Sequence, residues 1–159
     1  MRNRFGLLTE HHRDALPQPA VPNVLLRFLG EEGLVERGAE LTWLPPLPVY
    51  VEALVGVFNG DNKTAFGYGK LKQPLVTGRL RTFFELDDEN AIQLGVSAAH
   101  GQTEDRKQDN LMGFDLRYKL RPEGALHPLL TVTGEALYSL RRVETLDENG
   151  AAVETRTRN

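Results

Sequence analysis

Two sets of side chains in this chain have types and spacings that could do chemistry. The first is Glu10-His11-His12 with Asp14, the residue types that ligate zinc. Adjacent histidines do not share one helix face, however, and no second pair stands at the spacing of a zinc-binding helix. His100 and His127 belong to other segments. A solvated polar loop accounts for His11, His12 and Asp14 most simply, and a loop zinc site completed by further residues is the remaining option.

The second set is ionic. Arg79, Arg81, Arg117, Lys119 and Arg141 are interleaved with Glu40, Glu52, Glu85, Asp115 and Glu135. Charges of both signs along one wall would tune which small solutes pass a narrow path, or would simply pair across neighbouring strands. No phosphate-cradling Gly-rich loop, nucleophile elbow or Ser-His-Asp spacing is present. There is no cysteine, which excludes disulfides and thiolate chemistry. The residues give no support to catalysis and call for no cofactor.

The elements that must position these charges have a period of two. From Arg37 onward six strand-like runs are expected, at about 37–44, 49–59, 74–86, 91–101, 110–121 and 129–143. In the third, Thr77, Arg79, Arg81, Phe83 and Glu85 alternate with Val76, Gly78, Leu80, Thr82, Phe84 and Leu86. In the fifth, Asp115, Arg117 and Lys119 alternate with Phe114, Leu116, Tyr118 and Leu120. One face is apolar throughout and the other carries ions of both signs, and the expected fold is an all-β antiparallel up-and-down meander.

Alternation alone does not say which face is buried, since a soluble sheet wets its charged side. Three features favour a segment of a transmembrane β-barrel. Most runs exceed the five or six residues of an average globular strand and suit the roughly nine to eleven needed to cross a bilayer. Pro45 to Pro48, Asp87 to Asn90 and Pro122 to His127 read as brief turns, with longer polar loops at Gly60 to Lys72 and Gln102 to Asp109. Trp43, Phe84 and Tyr118 lie on the apolar face shortly before turns, with Tyr138 near the opposite rim, as in an aromatic girdle.

Composition agrees without deciding. The chain has 159 residues and a net charge of −3, with no broad basic footprint for nucleic acid. A mean hydropathy of −0.37 is no objection to a barrel, whose strands give weak signals. Residues 1–36 stand apart. Pro17, Pro19 and Pro22 disfavour regular structure there, and Val24 to Leu29 reads as a helical turn or a short strand. The region reads as the remnant of a first strand followed by a loop, packed loosely or along the first edge of the sheet, with 37–159 as the barrel segment. Six lumen-polar strands do not close, so the rest of its own barrel would be a partner, together with the outer-membrane bilayer and a small solute.

Several stretches resemble a group of bacterial outer-membrane barrels described as porin-like proteins or as TonB-dependent, zinc-regulated receptors. They are Arg2-Asn3-Arg4-Phe5 leading to His11-His12 and Ala15-Leu16-Pro17, then Arg27-Phe28-Leu29-Gly30-Glu31-Glu32-Gly33-Leu34. Gly38 to Leu44, Phe58-Asn59-Gly60-Asp61-Asn62 and Leu80-Arg81-Thr82-Phe83-Phe84-Glu85-Leu86 continue the likeness, which covers most of 1–144. Members of the group are longer, with an export signal and further strands on both sides. The resemblance implies an outer-membrane barrel and solute passage. A soluble β-meander that binds a ligand, and a gated receptor using His11, His12 and Asp14 for a metal or metal complex, are the competing expectations.

Overall fold

The computed structural model describes residues 3–10, 22–31, 33–62, 64–67, 74–103, 108–146 and 152–158, with side chains as far as Arg141. Seven strands form one sheet: β1 (Gly38–Trp43), β2 (Tyr50–Phe58), β3 (Leu75–Glu85), β4 (Asn90–Gln102), β5 (Gln108–Leu120), β6 (Leu130–Leu146) and β7 (Ala152–Arg158). Each pairs antiparallel with its neighbours in sequence, giving the order β1 to β7. Among the described residues β1 pairs only with β2 and β7 only with β6, so the sheet is an open up-and-down meander. Among the described residues no helix is long and apolar enough to cross a membrane.

β6 is longer than the run expected there, and β7 follows the six expected runs, where the sequence allows Ala151, Val153 and Thr155 only a brief pairing with 137–145. β4 and β5 also run on to Gln102 and Gln108, which leaves 103–107 as their connection. The expected division into short turns at one end and long loops at the other is therefore weak. The 59–74 connection is long, but 121–129, at the end expected to have brief turns, exceeds 103–107 at the other end.

The two faces of the sheet have opposite fates, and they invert the soluble pattern. The apolar side is bare: Leu41 is 73% exposed, Val55 56% and Val96 50%, with Val57, Leu80, Phe114 and Val132 close behind. The ionic side is covered, and Glu52, Thr77, Arg79, Ser97, Asp109, Asp115 and Ser139 are all buried.

The cover is the region before β1. The described residues among 1–36 are neither loosely packed nor aligned with the first edge, and no strand remnant is found among them. Instead Asn3 to Glu10 crosses the ionic face, from Thr77 on β3 to Glu135 on β6. A helix, α1 (Asn23–Leu29), packs against β6. Leu25 and Leu29, one turn apart, are its buried residues, and it ends at Gly30, whose amide still donates to the Leu26 carbonyl while its φ of 76° turns the chain out of the helix. At seven residues α1 is too short to persist without this docking.

The covered face has an apolar zone toward the 59–74 connection. Phe58, Leu75, Ala99 and Leu111 from the sheet meet Phe5, Leu25, Leu29, Leu34, Ala65 and Phe66. Glycines make the space. A Cβ on Gly101 would come 2.5 Å from the Phe66 ring, and one on Gly113 would sit 3.4 Å from the Phe5 ring. Asn62 ties the layer together, donating to the Leu29 and Gly33 carbonyls at 2.9 Å each while accepting from the amides of Thr64 and Ala65.

Candidate functional site

Next to that apolar zone, the period of two sets Glu52 (β2), Arg79 and Arg81 (β3), Asp115 (β5) and Glu135 (β6) on one side. The register places Glu52 opposite Arg81, Arg81 opposite Gly95, Gly95 opposite Asp115, and Asp115 opposite Glu135. A single row thus crosses five strands. Its members are mostly neutralised by one another and by the crossing segment.

Arg79 is the hub. One terminal nitrogen donates to the carbonyls of Arg4, at 3.1 Å, and Gly6, while the other lies 3.1 Å from both oxygens of Asp115. Glu10 stands 3.8 Å from Arg79 and 3.0 Å from Arg81. Arg81 also donates to Glu52, which accepts Tyr50 Oη at 3.2 Å as well. Arg4 pairs with Glu40 at 2.6 Å and Glu52 at 3.3 Å. The amides of Gly6 and Leu8 donate to Ser97 Oγ and Glu135 Oε2 at 3.2 and 3.0 Å, which gives the backbone of the segment partners too. Toward the loop end Arg141 meets Asp109 at 2.9 Å and also donates to the Thr64 and Ala65 carbonyls.

Three members of the ionic set lie outside this network. Glu85 is exposed, and Arg117 and Lys119, both half-buried, make no hydrogen bond or ion pair with a described residue. On the bare side, Trp43 is 62% exposed, with Tyr138 and Phe84 exposed and Tyr118 half-buried. Phe84 and Tyr118 both lie opposite Ile92, whereas Trp43 is opposite Ala53, in the row of Leu80. His11, His12 and Asp14 lie outside the described residues, and among those described no cluster of His, Asp and Glu could hold a metal.

Sequence reasoning missed Arg4, Asp109 and Gln93, and set Glu10 beside the histidines rather than with Arg79 and Arg81. Arg4 and Glu10 fall where no periodicity assigns a face. Asp109 carried the right signal, since it continues the parity of Asp115, but it was placed in a loop. Gln93 has the parity of the ionic face but no charge to single it out.

No family model matches this chain, and no solved structure matches it. It is similar to an uncharacterized protein of Aquifex aeolicus (strain VF5), at 29% identity over 161 positions, which cover 86% of this chain and 34% of that protein. The chain therefore spans about a third of the length of that relative.

Proposed function

We propose that this chain is part of the wall of an outer-membrane β-barrel through which small solutes pass, with its ionic face turned to the lumen. One observation carries the reading: the sheet exposes Leu41, Val55, Leu80, Val96, Phe114 and Val132 and buries Arg79, Asp115, Glu52 and Asp109. A water-soluble sheet has no reason to leave a contiguous apolar face bare, and such a face calls for a cover. Lipid supplies one for strands of this length, 11 to 17 residues in β3 to β6. The edges of β1 and β7, unpaired among the described residues, call for further strands of the same barrel, because unmet backbone groups are costly in hydrocarbon. In this arrangement Asn3 to Glu10 lies across the lumen face and narrows the path.

The chain has no cysteine, so single-site labelling is clean. A fluorophore on cysteines introduced at Leu80, Val96 or Phe114 of the protein in vesicles should be quenched by lipid-borne nitroxides. The same label at Thr133, on the ionic side, should be quenched by aqueous iodide instead. Equal aqueous quenching at all four positions, in a protein monodisperse without detergent, would favour the soluble ligand-binding meander.

A further inference from the structure

The crossing segment is held differently on the two sides of Gly6. Before it, the Asn3 amide donates to the Leu34 carbonyl at 2.8 Å, and its side chain donates to Thr77 at 3.0 Å. Arg4 pairs with Glu40 and Glu52, and Phe5 belongs to the buried apolar zone. Beyond Gly6, Leu7 is buried outside that zone and Leu8 packs partly buried against it. The rest of the hold there is polar: the Leu8 amide on Glu135, and Glu10 on Arg81 and Arg79. Gly6 itself has a φ of 74°, and the space that a Cβ would need is filled by the Glu135 carboxylate. Glycine alone fits, and its backbone freedom gives the segment a pivot.

The docked position also carries a cost. Arg79 Nε, Arg81 Nε and Glu135 Oε1, on the three residues that grip the part beyond Gly6, are buried without a partner among the described residues. Each such atom is destabilising, and lifting the segment lets water reach it. Lifting strands no cation, because both guanidinia that hold Glu10 keep a carboxylate of the sheet, Asp115 for Arg79 and Glu52 for Arg81. The Glu10 pairs and the burial of Leu7 and Leu8 favour docking, and hydration of the unmet atoms and of the Glu10 carboxylate favours release.

We propose that Leu7 to Glu10 is a gate, which pivots at Gly6 between a docked position that narrows the path and a lifted one that widens it. Glu10 is its latch. The gate rests on the barrel reading for the path that it controls, whereas the movement itself is measurable without a membrane.

The test uses the protein that carries this segment, in detergent and in planar bilayers. Thr9, 2% exposed when docked, reports the movement. A cysteine at Thr9 should react slowly with a polar maleimide in detergent. Adding Glu10→Gln should speed that reaction at least about tenfold, as expected for lost charge-assisted bonds. A cysteine at Ala99, buried in the apolar zone, should stay slow in both backgrounds. In bilayers the parent should show a lower and a higher conductance level, and Gly6→Ala, which excludes docking, should remain at the higher one. Cysteines at Glu10 and Arg81, joined by a bismaleimide with a disulfide in its spacer, should hold the lower level until a reductant cuts the link. Unchanged labelling at Thr9 overturns the gate, as does equal acceleration at Ala99, which would mean general loosening. A conducting protein with one level, indifferent to the link and to Gly6→Ala, removes the gate and leaves the barrel. Accelerated labelling at Thr9 alone, in a protein that does not conduct, keeps the moving segment and removes the barrel.

Discussion

The Arg79 guanidinium reaches across an entire strand to Asp115, with one nitrogen 3.1 Å from both carboxylate oxygens. Arg79 is on β3 and Asp115 on β5, and β4 between them presents Ser97 and Gly95. Both charged side chains are almost wholly removed from solvent, at 2% and 1% exposure. Such a pair offsets its desolvation only if its remaining hydrogen-bonding capacity is used. The carbonyls of Arg4 and Gly6 take up one terminal nitrogen of Arg79, which ties the pair to the crossing segment, while Arg79 Nε is left without a partner among the described residues.

Removing one partner should therefore cost more than removing both. Asp115→Leu should destabilise by about 3–5 kcal/mol, because it leaves a buried guanidinium uncompensated. Arg79→Met together with Asp115→Leu should recover much of that loss. Urea unfolding in detergent across the double-mutant cycle reads the coupling, and additive single effects would show that the pair does not act as a unit.

Gly95 is a second way to break the same bond. A Cβ there would lie 2.4 and 2.5 Å from the two Asp115 oxygens, so any side chain must push the carboxylate off Arg79. Gly95→Ala should destabilise by about 1–3 kcal/mol, as overpacking does, although alanine is ordinarily the better strand residue. A stabilised variant in the same urea titration would mean that Asp115 has room to move.

This arrangement shows what the sequence could and could not reveal. The period of two made the sheet, its antiparallel order and its face assignments legible, because alternation is a local property of each run. Val24 to Leu29 remained open between helix and strand, since six residues fit either period and docking decides. That Asn3 to Glu10 crosses the ionic face was not legible. Its contacts, such as Leu8 with Glu135, join residues 127 positions apart, and no local pattern encodes them. The same holds for the split among the cations. Arg79 and Arg117 look alike in sequence and differ only in what the register sets beside them.

The bare face should tolerate charge at its turns and resist it at mid-strand. Leu80→Arg should lower the folding free energy into lipid vesicles by about 2–4 kcal/mol if Leu80 is near the bilayer midplane. Leu126→Arg, in the 121–129 connection where Leu126 is 91% exposed, should be close to neutral. Equal effects at the two positions would argue against lipid contact at Leu80.

Two acids outside the strands should give opposite pH dependences. Asp87 Oδ1 accepts the Asn90 side-chain amide at 2.7 Å and the backbone amides of Glu89 and Asn90 at 3.0 and 2.8 Å. The Asn90 side chain first, and the Glu89 amide next, hold its carboxyl below the ordinary aspartate value. The folded state thus favours the ionised form. Its contribution to the β3–β4 turn is complete above the unfolded value near 3.8 and is lost as pH falls through the lower folded value. Glu36 is the reverse case: burial pushes its carboxyl up, and the nearby Asp61 charge adds to this, against the lowering by the Asp61 amide. The fold favours its protonated form, so its contribution is greatest below the unfolded value near 4.5 and declines as pH rises through the folded value. Stability measured against pH should therefore lose its fall on the alkaline side of 4.5 in Glu36→Gln, which keeps an oxygen for the Asp61 amide. Asp87→Asn should instead remove acid sensitivity from hydrogen exchange at the Glu89 and Asn90 amides. If Glu36→Gln steepens the decline with rising pH, the burial of Glu36 is not what sets its titration.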